Sequence, residues 1–285
     1  MRDDVKSFNV SGMGCSGSML AVDMAQNLLR VHKDSNAVVL STEILTTGWY
    51  SGNERNKLIL NCLFRMGSAA ILLSNRMQAR RTSKYKLVRT LRTQRAFDDR
   101  AYRSAMRDED SKGFIGVTLN RDIPSIVCEI ARASITSLGS SILPSSEKLK
   151  FGLSILKKML MKGSSEIYSP DFKRVIDHFC LPNSGRDLIK GIAKGLKLNE
   201  KDVEAALATL HRFGNQSSSS LWYELAYLEA KERVKKGDKV WQLGIGTGLK
   251  STSVVWECIR PILGESKSGP WADCIDQYPT SLALD

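Results

Sequence analysis

The chain has 285 residues, 42% of them hydrophobic and 25% charged, and this composition excludes intrinsic disorder as its default state. Lysine and arginine total 42 against 30 acidic residues, and the formal net charge of +12 favours anionic partners. Six cysteines without CxxC spacing argue against a disulfide framework or a zinc ribbon and favour a reducing compartment. No apolar run approaches the roughly 20 residues of a membrane span, and the first residues lack the apolar core of a signal peptide. We therefore expect a soluble or peripherally attached intracellular chain.

Alternating helix and strand patterns run along most of the chain and predict a layered α/β fold. Short apolar runs between polar breaks predict buried strands, and amphipathic spacing predicts helices. The predicted strands are 36–44, 68–74, 84–92, 113–119, 239–244 and 251–259. The predicted helices are 16–30, 125–135, 146–161, 184–196, a helix capped by Asn199 that runs through 205–210, and 221–234. The four serines at 217–220 are interpreted as a polar turn that leads into the last helix.

The positive charge is concentrated in one segment. Eight basic residues and no acidic residue lie between Arg76 and Arg95. One interpretation is a solvated loop and an exposed strand edge that charge keeps soluble. The alternatives are a patch that steers phosphate groups or a contact with an anionic bilayer surface. Nucleic acid is disfavoured as a partner, because interleaved aromatic residues, a helix-turn-helix signature and an RNP-like motif are all missing from the sequence.

The first motif that suggests chemistry is GMGCSG at 12–17, directly before the first predicted helix. Its glycines permit a tight turn, and Cys15 is predicted to lie at the helix N-terminus. Unpaired amides and the helix dipole at that position favour a reactive thiolate. The alternative is a small buried cysteine that fills a close-packed turn, and the spacing alone supports both interpretations equally.

Two further motifs lie in the last third of the chain. HRFGN at 211–215 precedes the serines, and Asn215 is interpreted either as a helix N-cap or as an amide that donates to a developing oxyanion. GIGTG at 244–248 follows a strand. A dinucleotide fingerprint requires a following helix, whereas a β-branched strand follows here. A hairpin turn, or a glycine-rich loop that lets backbone approach a ligand, fits this motif better.

Long ordered motifs show that the chain resembles the C-terminal portion of the plant 3-ketoacyl-CoA synthases, the condensing enzymes of very-long-chain fatty acid elongation. That family is related to type III polyketide synthases and shares their thiolase-type fold. The resemblance runs from Asn9 to about Pro279. The motifs that carry it are SGMGCS at 11–16, STEI at 41–44, GNER at 52–55, NCLFRMG at 61–67, PDF at 170–172, HRFGNQSSSSLWYELAY at 211–227 and WADCIDQYP at 271–279.

The resemblance implies an α/β, thiolase-like layered αβαβα fold with part of its first half absent. It divides the chain into 1–82, the remainder of the N-terminal half with the nucleophile motif, and 83–285, the C-terminal half. It implies that a fatty acyl group is transferred from coenzyme A to Cys15. Malonyl-CoA then loses carbon dioxide, and its carbanion attacks the thioester to give a 3-ketoacyl-CoA. In the family a histidine and an asparagine stabilise the enolate, and the asparagine corresponds to Asn215.

The chain departs from the family pattern at the histidines. The catalytic histidine lies in a pattern like HFCIHAGGR, whereas this chain reads HFCLPNSGR and places Pro182 there. A second family histidine, in a stretch like THRGADD, is replaced by Gln94. The sequence contains three histidines. We expect His32 to be solvated, and His178 and His211 match family positions near the site, where a structural role is the alternative.

Family members begin with two membrane spans, and the matched portion starts just upstream of the nucleophile motif. We expect an acyltransferase by descent whose activity is reduced, with acyl-CoA and malonyl-CoA as substrates and no cofactor or metal. The runner-up is an inert member that pairs with an active synthase or another elongase subunit, and a third hypothesis is a basic anion-binding protein. A homodimer or heterodimer, possible contact with a membrane surface and, by family, the endoplasmic reticulum membrane are expected.

Three structural expectations follow. Cys15 is expected to face Asn215 across a shared cleft, although the two lie 200 residues apart in the sequence. Unpaired strand neighbours are expected to leave an apolar edge that makes the chain poorly soluble alone. The segment from Arg76 to Arg95 is expected to bind coenzyme A phosphates or an anionic membrane face.

Overall fold

The computed structural model describes residues 4–160 and 168–280, and these form a layered arrangement of helices and strands. The helices are α1 (Gly17–Val31), α2 (Arg55–Leu63), α3 (Asp99–Arg103), α4 (Ile123–Ile142), α5 (Ser145–Leu160), α6 (Arg186–Leu196), α7 (Glu200–Phe213) and α8 (Ser220–Ala230). The strands are β1 (Asn36–Thr42), β2 (Ser68–Ser74), β3 (Tyr85–Gln94), β4 (Ala105–Glu109), β5 (Ile115–Leu119), β6 (His178–Cys180), β7 (Lys239–Gly246) and β8 (Lys250–Cys258).

A four-stranded sheet with the order β3-β8-β7-β6 forms the centre of the described structure. β6 pairs with β7 in parallel, whereas β7 with β8 and β8 with β3 are antiparallel. Alternate residues of β7 and β8 enter two separate hydrophobic clusters. Val240 packs with α1 and α8 on one face, and Trp241 packs with α4 and α6 on the other. Helices therefore cover both faces, which confirms the predicted α/β layering and the burial of the last two strands.

The prediction of buried strands is wrong for β1 and β2. They pair antiparallel as a two-stranded sheet that buries its α1 side. The other face exposes Val38 by 67%, Leu40 by 70% and Leu72 by 68%. Within the described ranges, no helix or strand packs over that face. An apolar run therefore indicates strand structure here but only half-burial.

A second hairpin, β4 with β5, packs against α2. Only β5 was expected, because the sequence of β4, AMRDE, shows neither an apolar run nor a clear alternation. The hairpin is anchored by the buried Lys57, whose Nζ lies 2.8 Å from Asp108 Oδ1. The hairpin also packs closely against Tyr50 at Gly116. Only glycine fits there, because a Cβ would lie 2.7 Å from the Tyr50 ring.

Six of the eight described α-helices were predicted and agree except at their ends, whereas α2 and α3 were not predicted. α4 continues to Ile142 rather than 135, and α8 stops at Ala230 rather than 234. The Asn199 cap is confirmed, because its side chain accepts from Asp202 N and Asp202 returns the bond in a capping box. Residue 161, the predicted end of α5, lies outside the described residues.

No helix in the described part of the chain is long and apolar enough to cross a membrane. The division at 82 and 83 stays a prediction. It falls between a 3₁₀ turn, Gln78–Arg81, and the start of β3. α1 nevertheless packs against β7 and β8, so residues from both predicted halves share one hydrophobic cluster.

Candidate active site

Cys15 lies in a 3₁₀ turn, Gly14–Ser16, that leads directly into α1. Gly14 has a φ of +54°, a left-handed conformation that favours glycine. A Cβ at Gly14 would lie 2.7 Å from the backbone nitrogen of Thr247. The first motif therefore places Cys15 at a helix N-terminus, as predicted, and packs its backbone against the second glycine motif.

The second glycine motif is the hairpin between β7 and β8, which excludes the dinucleotide-loop interpretation. Its glycines permit close approach of backbone. A Cβ at Gly246 would lie 2.1 Å from Met13 O, and one at Gly244 would lie 3.5 Å from Cys15 O. The Thr247 hydroxyl also donates to Gly12 O at 3.2 Å. The hairpin thus holds the Cys15 turn against the end of the central sheet.

Of the two interpretations of the Cys15 motif, burial favours the cysteine that fills a close-packed turn over the reactive thiolate. Burial raises the pKa of the half-buried Cys15 thiol to about 11, because the thiolate loses hydration. A hydrogen bond with the Ser217 hydroxyl lowers this pKa, whereas the nearby Glu43 carboxylate raises it. Desolvation outweighs the other influences, so the thiol is protonated at neutral pH.

The four serines form the turn that faces Cys15. Ser217–Ser219 is a 3₁₀ turn, and α8 begins at Ser220, which confirms the predicted polar turn before a helix. Ser217 has a φ of +53°, a strained conformation for a residue with a side chain. The Ser41 hydroxyl lies 2.8 Å from that of Ser218 and 3.0 Å from that of Ser219. Buried hydroxyls thus fasten the turn to β1.

Asn215 is 2% exposed and is fixed at both its backbone and its side chain. Its N–H donates to Leu63 O at 3.1 Å, and its carbonyl accepts from Arg65 N at 2.8 Å. Its Oδ1 accepts from Ser217 N at 2.8 Å, while Ser219 is the N-cap residue of α8. The simple helix-cap interpretation therefore does not hold. Nδ2 is buried and has no hydrogen-bond partner among the described residues, so a fixed donor is left free.

Ser217 connects the two residues that were predicted to share the site. Its hydroxyl bonds with the Cys15 thiol, and its backbone N–H bonds with Asn215 Oδ1. The structure thus brings Cys15 and the 215–217 turn into one hydrogen-bonded group. A role for Asn215 in chemistry remains a prediction.

Pro182 lies two residues beyond the end of β6. Cys180, the last residue of β6, lies opposite Gln242 in the parallel pair, and Gly244, two residues further along β7, packs against the Cys15 turn. His178 lies opposite Val240, six residues from Gly246 along β7. That separation is about 20 Å in a strand. His178 instead bonds with Asp238 at 2.9 Å, and the structure does not bring it to Cys15.

The other sequence candidates also lie away from the thiol. His211 is exposed on α7, where its Nδ1 lies 2.7 Å from the Tyr278 hydroxyl. It therefore connects α7 to the segment around Tyr278. His32 is exposed directly after α1. Gln94 is exposed at the end of β3, opposite Lys250. None of these three side chains hydrogen-bonds with the Cys15 turn in the described part of the chain.

The basic segment is divided by ion pairs that the sequence does not indicate. Arg76 pairs with Asp34, Lys84 with Glu229 and Glu265, Arg92 with Asp23, and Arg95 with Asp98 and Glu129. Four exposed cations have no ion pair with a described residue, namely Arg80, Arg81, Lys86 and Arg89. Four of the eight basic residues are therefore paired with acidic residues, and the other four carry the unpaired positive charge of this segment.

Sequence reasoning missed three residues at this site: Glu43, Ser217 and Asn183. Glu43 follows β1 within the STEI motif, and Ser217 was interpreted only as part of a turn. Asn183 stands beside Pro182 and is 3% exposed. There was no direct signal for Asn183 in the sequence, because neither β6 nor the burial of this residue was predicted.

Comparison with known proteins defines the fold. Tetrahydroxynaphthalene synthase, a type III polyketide synthase from Streptomyces coelicolor A3(2), superposes with a TM-score of 0.65 and 17% identity. The match covers 90% of this chain and 64% of that chain. The 3-oxoacyl-[acyl-carrier-protein] synthase III from Aquifex aeolicus VF5 gives 0.59 and 17%, covering 90% and 68%. The chain has the thiolase-like α/β fold.

The family model described as FAE1/Type III polyketide synthase-like protein matches residues 1–160, and that of the 3-oxoacyl-[acyl-carrier-protein] synthase III C terminus matches 173–258. The chain belongs to the FAE1/type III polyketide synthase-like family. It is 49% identical over 282 residues to 3-ketoacyl-CoA synthase 5 of Arabidopsis thaliana and 48% identical to synthase 6. These matches cover 99% of this chain and 57% and 56% of the relatives, so the chain spans slightly more than half their length.

Proposed function

We propose that this chain carries the cysteine and asparagine of a 3-ketoacyl-CoA synthase, with a long-chain acyl-CoA and malonyl-CoA as substrates. The free amide of Asn215 carries the proposal. Its Oδ1 is held by Ser217 N–H, which leaves Nδ2 as a buried donor without a partner in the described chain. A fixed, dry donor beside a cysteine is what the oxyanion of a thioester reaction requires. The identity to the 3-ketoacyl-CoA synthases supports the substrate class.

In the first step the Cys15 sulfur attacks the carbonyl carbon of the acyl-CoA. The bond from that carbon to the coenzyme A sulfur breaks, and the thiol proton of Cys15 leaves with the coenzyme A thiolate. In the second step malonyl-CoA loses carbon dioxide, and its α-carbon attacks the acyl group on Cys15. The enolate oxygen accepts from Asn215 Nδ2, and the Cys15 sulfur departs from a 3-ketoacyl-CoA.

Pro182 and the high pKa of Cys15 both slow this reaction. Proline offers neither a side-chain donor nor a backbone N–H at the position of the family's histidine. Loss of one oxyanion donor costs about 10²–10³ in turnover. With a pKa of about 11, only about one Cys15 thiol in 10⁴ is ionised at pH 7. We therefore expect slow condensation.

The experiment measures 3-ketoacyl-CoA formed from a long-chain acyl-CoA and labelled malonyl-CoA. Cys15→Ala is expected to abolish product. Pro182→His is expected to raise the rate by at least tenfold. Pro261→His, at an exposed loop position, is the matched control and is expected to leave the rate unchanged. Absence of product from the wild type and from Pro182→His, together with absence of acyl-Cys15 in mass spectra, would reject the proposal.

We also propose peripheral contact with an anionic membrane, in agreement with an endoplasmic reticulum location. Arg80 and Arg81 are exposed beside Met77, which is 83% exposed. Cations next to an exposed apolar side chain suit an acidic bilayer surface. Arg80→Glu with Arg81→Glu should weaken binding to vesicles with anionic lipid, and added salt should weaken wild-type binding. The matched control is Lys157→Glu with Lys158→Glu on α5. An equal loss of vesicle binding in the two double variants would reject a specific role for Arg80 and Arg81.

Dimerisation is a further part of the proposal, either between two copies or with another synthase. The exposed apolar face of β1 and β2 supports an interface on this chain. Sedimentation at increasing protein concentration tests it. A single monomeric species throughout would contradict homodimer formation.

A further inference from the structure

The turn around Gly214 carries two complementary polar atoms. Asn183 Nδ2 donates to Gly214 O at 3.0 Å, which fixes its amide. Its Oδ1 is buried and has no hydrogen-bond partner in the part of the chain that the structure describes. Asn215 Nδ2 is likewise buried and unpartnered. The Asn183 side chain therefore has an unpaired acceptor and the Asn215 side chain an unpaired donor. Gly214 connects them, because it precedes Asn215 and its carbonyl accepts from Asn183.

Both amides lie at the end of the sheet that holds the nucleophile. Asn183 lies three residues after Cys180, which pairs with Gln242, and Gly244, two residues beyond Gln242, packs against the Cys15 turn. Asn215 is tied to the same turn through Ser217. Gln216 Oε1 is a third unpartnered atom nearby, but the Gln216 side chain packs against Gly67, where a Cβ would meet its Cγ at 2.8 Å. Gln216 is therefore directed toward β2.

Buried polar atoms are paired in native proteins, so unpaired ones beside a nucleophile indicate where a ligand supplies the missing partners. The acceptor on Asn183 requires an N–H or O–H of the ligand. A fatty acyl chain offers no donor, and the malonyl carboxylate at neutral pH is an acceptor only. In a CoA thioester the donor closest to the reacting carbonyl is the amide N–H of the pantetheine arm, two methylene groups from the sulfur.

We propose that Asn183 is a specificity-determining residue that binds this pantetheine amide. Its Oδ1 accepts from the amide N–H, while Asn215 Nδ2 donates to the thioester oxygen of the same ligand. The bond from Asn183 Nδ2 to Gly214 O sets the spacing between the two contacts. The identity of the ligand rests on the proposed function. The proposal adds a preference for thioesters that carry an amide N–H near the sulfur.

The test uses two unreactive ligands, so it requires no condensation. One is the S-ethyl thioether of pantetheine, and the other is its isostere in which an ester oxygen replaces the amide N–H closest to sulfur. Each is scored by how well it protects Cys15 from N-ethylmaleimide, followed by mass spectrometry of the Cys15 peptide. The wild type is expected to bind the amide about fivefold more tightly than the ester, the contribution of one neutral hydrogen bond.

Asn183→Ala is expected to remove the preference, and Asn183→Asp, which keeps an acceptor but loses the bond to Gly214 O, is expected to weaken it. Asn27→Ala, on the far part of α1, is the control for loss of an asparagine side chain. If Asn183→Ala weakens both ligands equally, Asn183 only shapes the turn and the proposal is overturned. Equal binding of both ligands by the wild type overturns it too, even if the variants fail to fold. A retained preference without condensation would reject the proposed function alone.

Discussion

The hydroxyl of Ser18, in the first turn of α1, donates to the backbone oxygen of Ser218 at 2.5 Å, although 200 residues separate the two in sequence. Both residues are buried. This bond joins the helix that follows Cys15 to the turn that follows Asn215. Because it connects backbone to a short side chain, it fixes the distance between the two segments more closely than contacts between long side chains could.

Replacing Glu43 should make Cys15 more reactive. The Glu43 carboxylate raises the pKa of the Cys15 thiol, because a negative charge nearby disfavours the thiolate. Glu43→Gln removes that charge and keeps the shape, so the pKa should fall below about 11. Alkylation by iodoacetamide at pH 8 is expected to be about fivefold faster. The measurement is the rate of Cys15 modification as a function of pH.

Glu109→Gln is the matched control for this charge change. Glu109 lies exposed on β4, and its replacement is expected to leave the pH profile of Cys15 unchanged. A slower reaction in Glu43→Gln, or equal acceleration in both variants, would contradict the assigned influence of Glu43.

Gly246→Ala should destabilise the Cys15 turn, Gly14–Ser16. The added Cβ would lie 2.1 Å from Met13 O and 2.6 Å from Ser16 Oγ, and the backbone oxygen can move only with its chain. We expect a loss of about 1–3 kcal/mol in the free energy of unfolding, measured with urea. Gly191→Ala, in the interior of α6 with open space around it, should instead stabilise by about 0.5–1 kcal/mol. Equal effects at both positions would show that the hairpin is not closely packed.

Glu224 should make stability depend on pH. It is fully buried and accepts from Leu181 N at 2.8 Å, and burial raises the pKa of its carboxyl well above the ordinary range. The folded state therefore holds a proton that the unfolded state releases from about pH 4.3. Above that pH, the stability of the wild type relative to Glu224→Gln should fall by about 1.4 kcal/mol per pH unit until the folded carboxyl ionises.

Urea unfolding of the wild type and of Glu224→Gln between pH 5 and 8 measures this difference. Because glutamine does not titrate, subtracting the two free energies of unfolding leaves the contribution of Glu224. A difference that stays constant between pH 5 and 8 would show that Glu224 is already ionised in the folded state and would contradict the prediction.

Polar residues on the outer face of β1 should reduce self-association. The double variant Val38→Thr with Leu40→Thr replaces side chains that are 67% and 70% exposed. Threonine is polar but still favours strand structure at both positions. Light scattering should show less aggregate at an unchanged melting temperature. Val39→Thr is the control, because Val39 is 5% exposed and its replacement should lower the melting temperature instead. Unchanged scattering in the double variant would remove this face from the cause of association.

Local features were predictable from the sequence, and features that depend on distant segments were not. The Asn199 cap involves residues three apart, and the GIGTG hairpin is a local turn. The pKa of Cys15 depends on burial by segments far along the chain, so the position at a helix N-terminus does not by itself give the direction of the shift. The partners of Lys84 and Arg92 likewise come from α8, α1 and the segment at 265. Net charge along a segment does not reveal such pairs.

The site shows the same distinction. The family motifs located Cys15 and Asn215 because each lies within a long matched stretch. Asn183 lies where the chain departs from the family pattern, so matching the motifs identified Pro182 as a difference but assigned no role to Asn183. Its environment is defined only when β6 is aligned on β7.

The mutual packing of Gly14 and Gly246 has a consequence for motion. Thr247 N lies where a side chain on Gly14 would be, and Met13 O lies where one on Gly246 would be, so neither segment can open without displacing the other. Local opening of the cysteine turn therefore requires the β7–β8 hairpin to open as well. In hydrogen exchange the amides of both segments should form one cooperative unit with a shared opening free energy. Access to Cys15 by large reagents is then governed by fluctuations of a hairpin that lies more than two hundred residues along the chain.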